Sequence, residues 1–367
     1  MDDFRRRLVS GGAAGAALAC LNACAGPLAM TSTSKLPAPR MEDLFARTKR
    51  MCFGRYAVEV PAETEQILGF QEIAGGFEPF PRARYPDPAR LLQELWKEEQ
   101  LRSFQEAQMA SSIAEGPVPG SKYFWFFGDE VERREDLRHL KGAIPLGSAV
   151  YLYRGMAIPR NGVPPEELFD RMSVLMRGMR AWDGISVPRE PGVCIDGAFI
   201  HEPTHRFQEI MSSGFVFPSL PDVHFSVLSN KNASTEAENG IGLLRSVQLA
   251  QRDAGLLGVF GGYPYTFLRR GKRTLHGLWE GEEVLSKSTQ DQALRFEWQL
   301  VGERGNPARP AHLDVSLSTR VENNRVGAAG YSAISDEQAV ALWDRLLEQI
   351  KFRVAVPGAT PQSVALG

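Results

Sequence analysis

Residues 265–302 read YTFLRRGKRTLHGLWEGEEVLSKSTQDQALRFEWQLVG and decide the fold of this chain. Apolar and polar residues alternate on both sides of a Gly-rich turn, and they alternate again through Phe296, Trp298 and Leu300. A period of two is typical of strands that bury one face. The stretch therefore predicts an antiparallel β-meander.

The polar positions of this meander are strongly charged. Opposite charges on neighbouring strands can pair across the sheet. The basic residues lie on the first arm and the acidic residues on the next; they are Arg269, Arg270, Lys272 and Arg273, then Glu280, Glu282 and Glu283. These residue types suggest no reaction, so we interpret the meander as a surface that contacts another molecule.

Length and composition limit the possible classes. A chain of 367 residues with 43% apolar content can bury two ordinary cores. The 42 basic and 44 acidic residues give a net charge of −2, which argues against a nucleic-acid partner. After the leader, no apolar run approaches the roughly 20 residues that a membrane-spanning helix needs.

The N-terminus has the pattern of an export signal. Arg5, Arg6 and Arg7 precede a weakly apolar run from Leu8 to Ala19, and both the general and the twin-arginine export routes stay open. Residues 21–24, LNAC, resemble a bacterial lipobox, which implies lipidation at Cys24 and, because Ala25 is not Asp, anchoring to the outer membrane.

The alternative is cleavage as a soluble periplasmic protein near Ala29. In either case residues 1–24 are the export signal. Residues 25–40 are rich in small residues and Pro, which predicts a tether.

Strands and helices are segregated along the rest of the chain, which favours an α+β fold with antiparallel sheets packed with amphipathic helices. Gly and Pro at 183–192 suggest a boundary between domains at 41–184 and 190–356, with a flexible tail at 357–367. Residues 51–61 are interpreted as one strand, and 41–50 as a short helix. A helix after Pro165 buries a methionine stripe, and Ser335 and Gln338 have the spacing of a capping box.

Two cysteines follow the leader, Cys52 and Cys194. In an oxidising envelope they could form a disulfide that closes a long loop. They could equally be two buried thiols, one in each domain. Their apolar, strand-like surroundings favour the second interpretation, because cysteine commonly packs as a small hydrophobe.

Residues 201–205, HEPTH, match the H-E-x-x-H pattern of zinc hydrolases. That site needs His201 and His205 on one face of a continuous helix, with Glu202 as the base. His201 continues a strand, and Pro203 cannot lie inside a helix. We therefore predict a strand-to-helix corner with surface histidines and no metal, while an exported zinc hydrolase, with Glu236 or Glu238 as third ligand, stays the alternative.

No other catalytic pattern is present. No Gly-x-Ser-x-Gly elbow occurs, and no glycine-rich phosphate loop precedes a helix. We predict no catalytic residue and no cofactor, and we interpret the chain as a binding protein. A structural envelope lipoprotein without such a partner is a further alternative.

Three stretches resemble the type VI secretion lipase-immunity family, whose members are cognate to the fourth group of type VI lipase effectors. They are residues 52–61, residues 192–200 and residues 270–283, and the Phe296 to Trp298 strand and Trp343 also fit. The likeness covers roughly residues 41–355 and is clearer in the second half.

This resemblance implies a two-domain periplasmic clamp that neutralises a phospholipase toxin of the α/β-hydrolase class by holding its lid. It implies no catalytic residue in the inhibitor. We expect the partner to contact the charged meander, through Arg269, Arg270, Lys272 and Arg273, and the cleft between the domains.

Overall fold

The computed structural model of the chain describes residues 40–102, 108–109, 111–233, 242–256 and 264–366. The predicted export signal, Cys24 and nearly all of the predicted tether lie outside these residues. In the described part of the chain, no helix is long and apolar enough to cross a membrane.

The helices are short and widely spaced along the described chain. They are α1 (Met41–Leu44), α2 (Pro88–Arg102), α3 (Glu130–Arg134), α4 (Pro165–Gly178), α5 (Leu243–Leu256) and α6 (Asp336–Gln349).

Strands dominate the first half up to residue 157. They are β1 (Thr48–Phe53), β2 (Tyr56–Pro61), β3 (Glu65–Ile73), β4 (Gly76–Pro81), β5 (Gln108–Met109), β6 (Ala114–Glu115), β7 (Lys122–Phe127), β8 (Arg138–Leu146) and β9 (Ala149–Ala157).

The later strands follow α4. They are β10 (Met179–Ala181), β11 (Gly192–Ile195), β12 (Ala198–His201), β13 (Glu209–Phe217), β14 (Leu220–Asn230), β15 (Tyr265–Leu275), β16 (Trp279–Ser288), β17 (Leu294–Leu300), β18 (His312–Ser318), β19 (Val321–Glu322), β20 (Arg325–Val326) and β21 (Lys351–Phe352).

One antiparallel sheet of 13 strands extends through both halves of the chain. Its order is β15-β16-β17-β18-β14-β13-β3-β4-β9-β8-β7-β5, and β6 also pairs with β7. The meander predicted from residues 265–302 forms the edge of this sheet, as β15, β16 and β17. The predicted α+β class with antiparallel sheets is therefore confirmed.

Local sequence signals explain where several helices begin and which face they bury. The Asp87 carboxylate accepts a hydrogen bond of 2.7 Å from the Ala89 amide at the start of α2. Ser335 and Gln338 form the predicted capping box of α6. In α4, the predicted methionine stripe is buried, with Met172 and Met176 in the core. These helices follow local capping and periodicity, which the sequence displays directly.

The two halves of the chain share their hydrophobic clusters. The β1-β2 hairpin packs Phe53 and Tyr56 into the same cluster as Trp343 of α6. The β11-β12 hairpin packs Val193 and Ile200 into the cluster of α4. Each half thus contributes a hairpin to the core of the other half, and the division into domains at 41–184 and 190–356 stays a prediction.

Two segments predicted as single strands are hairpins. Residues 51–61 turn at Gly54, where φ is 53° and an added Cβ would lie 2.8 Å from the Met211 side chain. Residues 192–201 turn at Gly197, where φ is 67° and an added Cβ would lie 2.6 Å from the Tyr151 hydroxyl. Alternation alone did not reveal these reversals. The short helix predicted at 41–50 ends at Leu44, because β1 begins at Thr48.

The preference for two separate thiols was wrong, because Cys52 and Cys194 form a disulfide. Both cysteines are buried, and Gly54 and Cys194 exchange two backbone hydrogen bonds of 2.9 and 2.8 Å beside it. The disulfide therefore joins the β1-β2 hairpin to the β11-β12 hairpin. The sequence could not show that these hairpins meet.

The C-terminal residues make regular contacts with the body. The Ala365 amide donates to the Phe352 carbonyl at 2.8 Å, and the Leu366 amide donates to the Arg353 carbonyl at 3.0 Å. Ser363 is fully buried. These contacts do not fit the flexible tail expected for residues 357–367.

Candidate interaction surface

The helices cover the large sheet unequally. On one face, α6 packs on Phe225 and Phe296, and α4 packs in the cluster of Tyr153 and Met211. On the opposite face, α2 packs on the strand end that contains Leu152, and α5 packs on β16. Within the described residues, no helix packs on this second face of the strands between α2 and α5, which are β17, β18, β14, β13 and β3.

We call this region the open sheet face. The register of the strands shows which residues form its floor. Glu297 is opposite Ser316, Ser316 is opposite Ser226, Ser226 is opposite Gly214, and Gly214 is opposite Ile67. Residues opposite each other point to the same side of a sheet, so these five positions form one row across five strands.

Small residues form the floor of the open sheet face, and larger side chains lie along its edges. The Ser226 and Ser316 hydroxyls are 2.8 Å apart and hydrogen-bonded to each other. Toward β3, Ile67 is 54% exposed and Leu228 of β14 is 38% exposed. At the other end of the row, Val284 beneath α5 is buried. The result is a trough with an apolar edge.

A bulge in β3 displays an aromatic side chain at this edge. Pairing between β3 and β13 shifts between Met211 and Ser213, and Phe70 lies in the shifted segment, 58% exposed. The Phe70 amide donates to the Ser212 hydroxyl at 2.7 Å, which fixes the backbone there. β-Bulges commonly redirect a side chain next to functional sites.

Two carboxylates on the open sheet face have raised pKa values. Burial raises the pKa of Glu72, and burial also raises that of Glu297, where the charge of Arg295 offsets only part of the effect. Neither carboxylate accepts a hydrogen bond or forms an ion pair with any residue in the described ranges.

The four basic residues predicted to bind the partner divide between the two faces of the sheet. Arg269 donates to Glu283 at 2.7 Å and to Asp344 of α6 at 3.0 Å. Arg273 donates to the same Glu283 at 2.8 Å and contacts Asp344. These two arginines fasten the meander to α6, which confirms pairing of opposite charges between neighbouring strands.

The shared carboxylate of Glu283 is buried. Burial alone would raise its pKa, but hydrogen bonds from Arg269, Trp343 and Arg273 lower it below the usual value. Glu283 is therefore an internal anion, and Arg269 and Arg273 are its counterions.

Arg270 and Lys272 lie on the opposite face of β15 and are exposed. The Arg270 guanidinium lies 4.8 Å from the centre of the Phe267 ring and donates to Gln251 of α5 at 3.3 Å. Of the four predicted contact residues, these two are the ones available at the surface. They flank α5, one wall of the open sheet face.

The H-E-P-T-H segment has no helix. β12 ends at His201, residues 202–208 form a connection, and β13 begins at Glu209. The expected strand-to-helix corner is therefore wrong, because Pro203 begins no helix. His201 is exposed, whereas His205 is partly buried with a φ of 54°.

Glu202 serves a structural purpose. It is buried, it pairs with Arg55, and it accepts a hydrogen bond of 2.9 Å from the Thr204 amide. Among the described residues, no group of three metal-ligating side chains comes together. Glu236 and Glu238, the conceivable third ligands, lie outside the described residues.

A second concavity of about 840 Å³ contains residues from both sides of the predicted domain boundary. Its lining includes Phe80, Tyr151, Arg180, Trp182 and Asp196. Whether it is the cleft between domains expected from the sequence depends on the domain division, which stays a prediction. The open sheet face was not foreseen, although the alternation of Ser and apolar residues in β13 and β14 gave a signal for a strand with one polar face.

Comparison with known proteins gives a family match in the C-terminal half. Residues 186–355 match the family model of the Tle cognate immunity protein 4 C-terminal domain. No curated protein sequence matches the chain significantly.

Solved structures share the fold over most of the chain. The apo immunity protein TplEi of the type VI secretion system (T6SS) from Pseudomonas aeruginosa is 21% identical, with a TM-score of 0.64 and coverage of 83% of this chain and 97% of that chain. TplEi complexed with the "L" peptide is 22% identical, with a TM-score of 0.60 and coverage of 83% and 98%.

The Tle4-Tli4 complex contains a chain that is 22% identical, with a TM-score of 0.65 and coverage of 83% of this chain and 97% of that chain. The family resemblance drawn from the sequence is confirmed: residues 186–355 match the model of the Tle cognate immunity protein 4 C-terminal domain, and the chain shares the fold of the solved TplEi and Tli4 structures.

Proposed function

We propose that this chain is an immunity protein that binds and inhibits a cognate T6SS phospholipase effector, and so protects the cell that produces it. The observation that carries the proposal is the match of residues 186–355 to an immunity-domain family. A solved relative with the same fold is described in complex with Tle4, which supports a lipase effector as the partner.

The protein acts by occupying a surface of the effector and catalyses no reaction itself. Glu202, the residue that a zinc hydrolase would use as its base, is engaged by Arg55 and the Thr204 amide. A carboxylate that already neutralises a buried guanidinium is a poor general base. The geometry thus favours inhibition by binding over the zinc-hydrolase alternative.

Inhibition takes place in the periplasm. The leader at residues 1–24 supports export, and the Cys52-Cys194 disulfide supports an oxidising compartment. Lipidation at Cys24 would tether the protein to the outer membrane through residues 25–40.

Contact with the effector involves the exposed meander residues Arg270 and Lys272 and the open sheet face. The arginines Arg269 and Arg273 support this surface from below, through Glu283. Specific interfaces of this kind bury about 1,600 Å² in total, which is more than Arg270 and Lys272 alone can supply, so we expect the neighbouring sheet to contribute.

The test is survival during periplasmic expression of the cognate lipase effector, to be sought in a reading frame adjacent to this gene, with and without this protein. We expect full-length protein to restore growth, and a form without residues 1–24, retained in the cytoplasm, to give no protection. Equal killing with and without the full-length protein would refute the proposal.

The zinc-hydrolase alternative has a separate assay. We expect purified protein to contain no stoichiometric zinc and the His201→Ala variant to protect as well as the wild type. Stoichiometric zinc that is lost in His201→Ala would favour the enzyme.

A further inference from the structure

We propose that the open sheet face receives an effector segment that presents cationic side chains and an apolar side chain. Glu72 and Glu297, on strands at opposite sides of the trough, each receive one arginine or lysine, and Phe70 and Ile67 receive the apolar group. The inference rests on the proposed immunity function, and it names the chemistry of the effector surface that this site recognises.

No helix within the described residues covers this part of the sheet. The opposite face of the same strands is packed under α6 and α4, and inward residues such as Phe215 and Phe225 are fully buried. The open side spans five strands, and four spacings of about 4.8 Å give a width of roughly 19 Å. One α-helix, about 10–12 Å across, or a broad loop fits this width.

Exposed apolar side chains lie along one edge of the trough. Ile67 and Phe70 are both more than half exposed, lie three residues apart in β3, and have Leu228 nearby on the far side of β13. Single exposed apolar residues are ordinary, whereas neighbouring ones on an open sheet mark a binding site. An aromatic side chain held on a bulge by Ser212 is already ordered, so binding costs little conformational entropy.

The trough also contains negative charge. Glu72 and Glu297 lie on the same side of the sheet as this edge, and neither has a hydrogen-bond or ion-pair partner in the described ranges. Burial raises the pKa values of both carboxylates, and the charge of Arg295 offsets part of the effect at Glu297. A cation supplied by a partner would remove this cost, and carboxylates that gain a bidentate arginine form the strongest such pairs.

The middle of the trough has room for a side chain from the partner. Ser316, Ser226 and Gly214 make the middle of the row small, so a side chain from another protein can lie between Glu297 and Ile67. Because Gly214 lacks a side chain and Ser226 is exposed, a large residue introduced here would fill the trough without disturbing the packed face.

The experiment measures the affinity and kinetics of the purified full-length mature protein for the purified lipase effector. Two double variants test the two halves of the proposal, Ile67→Ala with Phe70→Ala and Glu72→Gln with Glu297→Gln. We expect each to weaken binding by about tenfold or more, mainly through faster dissociation. The carboxamide pair should also reduce the dependence of affinity on salt.

Matched controls lie away from the trough. Val131 is 59% exposed on α3, so Val131→Ala removes a comparable exposed apolar group, and Glu322→Gln removes an exposed carboxylate of β19. Both should keep wild-type affinity. Within the trough, Ser226→Trp should abolish binding and Ser226→Ala should change affinity less than about twofold.

The outcomes separate this inference from the proposed function. If the wild type binds the effector tightly and both double variants and Ser226→Trp bind equally well, the trough is the wrong surface while the immunity function stands. If only the Glu72 and Glu297 pair has no effect, the cation assignment is overturned. If the wild type shows no binding to the effector, the proposed function fails and this inference fails with it.

Discussion

The guanidinium of Arg55 donates hydrogen bonds of 2.9 and 2.8 Å from one nitrogen to the two carboxylate oxygens of Glu209, a residue 154 positions later in the chain. Arg55 also donates to the Glu202 carbonyl at 2.8 Å, and Lys231 reaches the same Glu209 at 3.4 Å. All of these side chains are buried. The contact fixes the β1-β2 hairpin against the start of β13, the strand that joins the two halves of the sheet.

Loss of Arg55 should destabilise the fold severely. Arg55→Met leaves Glu202 and Glu209 buried without their main counterion, and breaking a buried pair in this way costs about 3–5 kcal/mol. Urea denaturation should show a loss of that size. The control is Arg50→Met, which removes a partly exposed arginine paired with Glu59 at 3.7 Å and should cost less than about 1 kcal/mol. Equal losses in both variants would contradict the assigned importance of the network.

The disulfide should contribute strongly to stability. It closes a loop with a sequence separation of 142. For a loop of that length, the chain-entropy model gives about 5 kcal/mol as an upper estimate. The Cys52→Ala/Cys194→Ala variant should unfold at clearly lower urea concentration. Thiol titration of denatured, unreduced protein cleaved after the leader should detect neither cysteine; two free thiols would show that the bond does not form.

The four basic residues of the meander should divide by function: one pair should stabilise the fold, and the other should contribute little to stability. Arg269→Ala with Arg273→Ala removes the counterions of the buried Glu283 and should cost on the order of 3 kcal/mol. Arg270→Ala with Lys272→Ala should change stability by less than about 0.5 kcal/mol.

Association kinetics test whether the exposed pair, Arg270 and Lys272, contacts the effector. Charge reversal at Arg270 and Lys272 should slow association with the effector at low salt, because exposed charges steer encounter. Unchanged association rates would exclude the meander from the interface. A charge reversal at Arg269 would not be informative, because it would disturb the contact with α6.

Stability should begin to fall as the pH drops through the histidine range. His276 donates from Nε2 to the Ile350 carbonyl at 2.8 Å, and burial lowers the pKa of His276 below 6.5 despite that hydrogen bond. A group whose folded pKa is lowered stabilises the fold above its unfolded pKa, and this contribution is lost as the pH falls toward the folded value.

The measurement is the urea midpoint between pH 8 and pH 5. We expect His276→Gln to lose less stability than the wild type between pH 6.5 and pH 5, because the amide does not titrate and can still donate to Ile350. The exposed His201→Gln should follow the wild type. A His276→Gln curve parallel to the wild type would remove His276 from the pH response.

Much of the local structure was predictable because its causes lie within a few residues. The alternation through Phe296, Trp298 and Leu300 specified strands with one buried face. Ser335 and Gln338 specified the start of α6, and Pro203 ruled out a helix containing both His201 and His205. The same alternation also places Arg269 and Arg273 on one face and Arg270 and Lys272 on the other. Treating the four as a single basic cluster hid this distinction.

By itself, the sequence determined the strand and helix types, the immunity-family resemblance and the lack of a helical zinc motif, because each depends on neighbouring residues. Tertiary structure alone decided that Cys52 meets Cys194, that Arg269 and Arg273 face α6, and that no helix of the described residues covers the side of the sheet on which Ile67 lies. These features depend on contacts between distant segments. Alternation shows which residues share a face, but only the packed chain decides which face another element covers.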